Sequence, residues 1–436
     1  MTQPTTIPPL PTTDVRESAG LARMPLRSAW AMLLVLISGF GLSQAYRTIT
    51  SIFAQGLQAD FGLSASSLGL FASLFALTFG AVQLFMGVGM DLYGLRRTVL
   101  VTAPLSILGA ALSAWSPHYG WLLAGQALIG LGCAPAFLAC TVFIARHFPA
   151  SQFALVSGIS LGLGGIGMLF TGTPLAWLVE RYGWRSGFAL LGVLSALSWL
   201  LIAWKVHEPQ SRADAPARPS WLTAIREFGV LLTMPHSWGI LSLGLVVYAS
   251  FLTLRGLWLG PLLMERHGWS LVASGNLALV VSVVSLITPG LFGRLDPGPV
   301  RRRHWLVATT LAMAALFAAL GLLHSTWLNV VLIFVIVIFS GCSVLQYANA
   351  RAAYPPQATG RALALLTMAM FLGAGLMQWL TGLLTAWATQ YGFDPFAAVM
   401  LGIAAMLGLG AAGFHATPIA EPAKNAGLRT GNSTNP

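Results

Sequence analysis

Two arginines stand in apolar surroundings where a charge is costly. Arg47 lies in GFGLSQAYRTITSIF, residues 39–53, with no charged residue back to Arg27 and none ahead until Asp60. Arg255 lies in VVYASFLTLRGLWLGP, residues 246–261. Each follows a tryptophan, Trp30 or Trp238, by 17 residues. A guanidinium is a planar fork of donors that matches a carboxylate or a phosphate two bonds at a time. Gln44, Arg47, Thr48, Ser51 and Gln55 recur at helical spacing, which predicts one polar stripe. Tyr248 falls two turns before Arg255 on the same face. Gln346 and Gln378 add polar groups to later apolar runs. The expected binding set for a small, anionic molecule is therefore Arg47, Arg255, Gln44, Thr48, Ser51, Tyr248, Gln346 and Gln378, with the two arginines converging on one anion.

The residues that other chemistries need are placed elsewhere. All twelve Asp and Glu fall in tails, loops or the ends of apolar runs, and the eight His fall in loops or near run ends. No HExxH motif and no nucleophile–base pairing occurs, so no catalytic residue, metal site or cofactor is expected. Cys133, Cys140 and Cys342 sit in apolar runs without a CxxC pair and read as small packing residues.

The elements that position the arginines follow from composition. Of 436 residues, 56% are hydrophobic and 8% charged, against about 25% charged in a soluble domain. Most of the surface must face a lipid bilayer. Crossing about 30 Å of hydrocarbon takes about 20 helical residues, and apolar runs near that length recur at 29–54, 66–88, 98–115, 120–145, 154–178, 186–204, 238–263, 271–293, 305–323, 327–349, 361–386 and 394–415. The sequence predicts an all-α polytopic membrane protein of twelve transmembrane helices. A polar N-tail (1–27), a polar central loop (205–237) and a C-tail (416–436) flank two blocks of six runs, 28–204 and 238–415. Gly62, Ser64 and Gly69 reappear as Gly268, Ser270 and Gly275 at an offset of 206, and Phe148–Pro149 as Tyr354–Pro355. These matches predict two pseudo-symmetric six-helix bundles.

Charge sets the expected orientation. Of 23 Lys and Arg, Arg181, Arg185 and Arg266 fall on one side, Arg47 and Arg255 lie inside runs, and the remaining eighteen fall on the side of the termini. By the positive-inside rule both termini are cytoplasmic. The net charge of +11 is then a mark of topology, and no nucleic-acid partner is expected.

The loop after the second run, GVGMDLYGLRR (87–97), resembles the G-x-x-x-D-R-x-G-R-R signature of the major facilitator superfamily. Gly87, Asp91, Gly94, Arg96 and Arg97 match, and Leu92 replaces the usual basic residue. QALIGLG (126–132) and YGWRSGF (182–188) add to the resemblance, which covers residues 28–415. It implies a two-bundle secondary transporter of the inner membrane, working as a monomer by alternating access. It also implies that the signature residues form a cytoplasmic gate. Gln126 stands where proton-coupled members often carry arginine. GTPLA (172–176) matches the drug-antiporter motif poorly. The arginine placement is similar to that of the organophosphate–phosphate antiporters, over two residues only. The expected cargo is a small organic anion, moved by exchange or with its own proton. The alternative within the same fold is export of a drug-like or siderophore-like metabolite.

Overall fold

Inside a bilayer no water is available to the peptide groups, so each apolar run closes its hydrogen bonds within itself as a helix. The computed structural model describes residues 25–149, 152–207, 221–355 and 358–418. Among these, twelve helices are long and apolar enough to span a membrane. They are α1 (Leu26–Tyr46), α2 (Ala65–Met90), α3 (Leu95–Ala114), α4 (Tyr119–His147), α5 (Leu155–Tyr182), α6 (Trp184–Lys205), α7 (Pro235–Arg266), α8 (Leu271–Arg294), α9 (Arg301–Leu322), α10 (Thr326–Ala353), α11 (Thr359–Gln390) and α12 (Pro395–Ala416). The predicted fold is the observed one. The tails before residue 25 and after 418, and loop residues 208–220, lie outside the described residues. Within the span expected to be a polar loop, Trp221–Leu232 forms a helix whose Phe228 and Leu231 enter the core.

The duplication read from the sequence reappears as shared local geometry. Gly62 and Gly268 both hold positive φ, 61° and 68°, a region that favours glycine. Two residues later Ser64 and Ser270 cap α2 and α8, accepting hydrogen bonds from Ser67 N and Ala273 N; such a cap is worth about 1 kcal/mol. Phe148 and Tyr354 each end a helix in extended backbone.

Several spans are interrupted, where the sequence led us to expect continuous helices. The first expected run, 29–54, breaks after Tyr46 and resumes as a helix over Thr50–Phe61. α4 breaks around Ala134–Pro135 and α10 around Gly341–Cys342, equivalent points of the two halves. α5 breaks at Thr171–Gly172, ahead of a helix that opens with Pro174 near its first turn. α7 carries a π-helical turn over Leu254–Trp258. Such breaks are tolerated in a membrane only where protein or a cavity covers the freed backbone groups.

The two halves meet through small residues, which let backbones approach closely. A Cβ on Gly69 of α2 would lie 2.7 Å from Gln378 O and 2.9 Å from Gly382 Cα of α11. On Gly172 of α5 it would lie 2.9 Å from Gly275 O of α8, and on Gly256 of α7 2.8 Å from Arg47 O. This seam occupies the half of the molecule away from the signature loop. Toward the loop the facing sides of α5 and α8 part. Gly165 of α5 packs against Leu286 of α8, yet Gly158 and Gly162, and Gly290 and Gly293 on α8, meet nothing within 4 Å. Those glycines lie one to two turns further along the same helix faces. The halves thus part along α5 and α8, while α2 and α11 stay packed toward the loop, where a Cβ on Gly80 would lie 2.9 Å from Leu372 N.

Candidate functional site

Arg47 sits between the halves beside the contact of α2 with α11, and the break in α1 occurs at its own position. It is the C-terminal cap residue of α1 and is half-buried. Its Nη2 donates to Ser43 Oγ one turn back, at 3.1 Å, which turns the guanidinium back along α1. The Cζ atom lies 4.9 Å from the ring centre of Phe79 (α2) and 4.6 Å from that of Phe371 (α11). One ring comes from each half, and their centres are 4.0 Å apart. Tyr248 packs on Phe371 with ring centres 5.5 Å apart, and the Tyr347 hydroxyl lies 3.4 Å from Thr367 Oγ1. Nε of Arg47 is buried without a partner. An arginine stacked on aromatic faces, with donors to spare, suits an anion brought into a desolvated cleft.

Arg255 is placed differently. It is fully buried, and every nitrogen of its guanidinium has a protein acceptor. Nε donates to Ser282 Oγ at 3.1 Å and Nη1 to Ser51 Oγ at 3.4 Å. Nη2 approaches Met168 O at 3.3 Å, Thr171 O at 3.5 Å and Thr171 Oγ1 at 3.4 Å. In this conformation the two guanidinium groups share none of these partners.

The other expected residues divide between the two arginines and the seam. Gln44 is half-buried; its Nε2 reaches Met168 Sδ at 3.8 Å and its Oε1 has no partner. Thr48 is buried and bonds Thr171 Oγ1 at 2.6 Å, tying α1 to α5. Ser51 serves Arg255. Gln55, the end of the predicted stripe, lines a cleft of about 720 Å³ at the closed end with Asp60, Arg185 and Trp269; the helix break turns it away. Gln346 is buried with both amide atoms unpartnered. Gln378 lies in the seam, its Nε2 3.6 Å from where a Cβ on Gly256 would sit. Gln126 is buried on α4 with an unpartnered amide.

In the signature loop, Gly94 adopts φ 85° between α2 and α3. Arg96 Nη2 donates to Ala203 O at 2.9 Å, tying α3 to α6, and Arg97 is exposed. A Cβ on Gly87 would touch only Leu138. The side chain of Asp91 lies outside the described residues.

Sequence reasoning missed Phe79, Phe371, Ser43, Met168, Thr171 and Ser282. Nothing distinguishes these from packing residues in a chain with 23 Phe. The Thr-Gly-Thr-Pro run at 171–174 was the one available sign, since Gly followed by Pro marks a helix restart.

Known proteins decide the family. The model of the Major Facilitator Superfamily matches residues 31–377. The chain belongs to this superfamily. The uridine/deoxyuridine transporter of Lactococcus lactis subsp. cremoris is 26% identical over 240 residues, 52% of this chain and 48% of that protein. The hexuronate transporter of Bacillus subtilis is 27% identical over 174 residues, 39% of this chain and 41% of that protein. The matches thus span about half the length of these relatives. A bacterial homologue of the human lysosomal transporter Spinster, solved in an inward-facing and unoccupied conformation, superposes with a TM-score of 0.68. It is 18% identical, and the match covers 90% of this chain and 96% of that one, a likeness of fold. The matched relatives named here are transporters.

Proposed function

We propose that the protein carries a small organic anion across the inner membrane by alternating access, with Arg47 as the contact for the negative group. The observation that supports this is the half-buried guanidinium between the halves, stacked on Phe79 and Phe371, with Nε unpartnered. Gln44, Tyr248 and Gln346 are the proposed contacts for the rest of the solute, while Thr48, Ser51 and Gln378 support the backbone around it. Convergence of Arg255 on the same anion would belong to another state of the cycle, after its present bonds part. The bias of Arg and Lys supports cytoplasmic termini, with the signature loop on the same side. The working unit is taken as a monomer. The hexuronate transporter among the relatives agrees with an acidic solute, whereas the uridine carrier favours a neutral one.

A thermal-stability screen of the purified protein against small carboxylates, hexuronates among them, with uridine as the neutral comparison, tests the reading. Acids are expected to raise Tm, since a ligand bound only to the folded state stabilises it by mass action. Stabilisation by uridine and by no acid would favour export or uptake of neutral molecules instead.

A further inference from the structure

The surroundings of Arg255 resemble a cation site more than a substrate site. Five oxygens converge on its guanidinium: Met168 O, Thr171 O, Thr171 Oγ1, Ser51 Oγ and Ser282 Oγ. None is a carboxylate. They come from three elements, and breaks in the helices make them available. The interruption of α5 at Thr171–Gly172 leaves carbonyl groups without their helical partners. The break of α1 delivers Ser51, and the π-helical turn of α7 carries Arg255 itself; π-turns concentrate at functional sites. Unwound backbone and hydroxyl oxygens at the meeting point of two repeats are the means by which secondary transporters hold a coupling cation.

We propose that Arg255 is a tethered cation, occupying an oxygen-lined site between the halves where an ion-coupled carrier would hold a free monovalent cation. The positive charge needed to close this junction is then supplied covalently. It does not enter or leave with each cycle, so closure needs no sodium ion or proton. Ser51, Met168 and Thr171 belong to the first half, Arg255 and Ser282 to the second, so the same bonds hold the closed end shut. They must part when that end opens. The inference concerns coupling and stands apart from the Arg47 reading, because the two side chains share no partner.

Closure can be read without knowing the solute. Thr173 Oγ1 donates to Asn276 Oδ1 across the seam at 2.6 Å, and the three native cysteines are buried. A Thr173→Cys, Asn276→Cys pair in the full chain should therefore form a disulfide, under a mild oxidant, at a rate set by closure of that end. In this parent the rate is expected to be equal in sodium and in choline buffers. Arg255→Ala is expected to slow it about tenfold in choline, within the usual range of coupling between sites. Millimolar methylguanidinium or sodium should restore most of the loss, and choline should not. Arg255→Lys, which keeps a charge, should close more readily than Arg255→Gln. The proposal is overturned if Arg255→Ala closes at the parent rate in choline, or if no small cation restores a variant that still elutes as a single species. A parent whose closure rises with sodium would also overturn it, because a free cation would then have a site of its own; that arm needs no Arg255 variant to fold.

Discussion

At the scale of the residue, the account turns on how differently two arginines are used. Arg47 and Arg255 look equivalent in sequence: isolated charges, each 17 residues after a tryptophan. Their presence near the middle of the membrane was legible because a charge there costs several kcal/mol and needs a reason. What each one touches was not legible, because the partners come from distant spans and include backbone carbonyls, which have no sequence signature. Arg47 keeps a buried donor free; Arg255 is enclosed and fully bonded. Arg47→Lys is therefore expected to weaken solute binding about tenfold to a hundredfold. An ammonium keeps the charge but loses the fork, and a charge-assisted hydrogen bond is worth about 1.5–3 kcal/mol. A binding isotherm with the acid that emerges from the stability screen checks this, and equal affinity in the two proteins would remove Arg47 from the site.

The elements were predicted well where burial follows from periodic apolar residues and poorly where a helix is broken. The twelve spans, the repeat and the Ser64 and Ser270 caps follow from local signals that need no tertiary information. The breaks at Arg47–Ile49 and Thr171–Gly172 depend on what packs over them, so the stripe from Gln44 to Gln55 was drawn straight and is bent. The glycine seam belongs to this scale. Gly69→Ala would press a methyl group against Gln378 O and Gly382 Cα, an overpacking expected to cost about 1–3 kcal/mol. Because the clash exists only with that end closed, the Thr173–Asn276 cross-link should form more slowly in Gly69→Ala; an unchanged rate would show that the seam relaxes freely. The turn between α7 and α8 adds a pH effect. His267 lies 3.1 Å from Thr326 Oγ1 and 3.0 Å from Asn329 Nδ2. Burial, with Arg266 and His324 nearby, holds its pKa below the ordinary 6.5. The folded state favours the neutral ring, so this contribution is complete above pH 6.5 and is lost as pH falls below it. Tm is expected to drop on acidification through that window, and His267→Gln to flatten the drop.

At the scale of the whole molecule, the proposed cycle has one half rotating against the other about a site that opens to each side in turn. The end away from the signature loop, held by the seam and by Arg255, is closed in this structure, and in that cycle this is one station. The loop carrying Asp91, Gly94, Arg96 and Arg97 is proposed to stabilise the opposite station. Asp91→Asn is expected to slow transport while leaving the amount of folded protein in the membrane unchanged; equal turnover would remove the loop from the gate. The central claim, an anion carried past Arg47, is tested most directly by counterflow. Proteoliposomes are loaded with an unlabelled hexuronate and given a trace of the labelled one outside, and the measurement is repeated with uridine and with Arg47→Ala. The account predicts a saturable, transient accumulation of the acid by the parent protein, its loss in Arg47→Ala, and no accumulation of uridine. Accumulation of uridine but not the acid, or accumulation of the acid by Arg47→Ala at the parent rate, would contradict it.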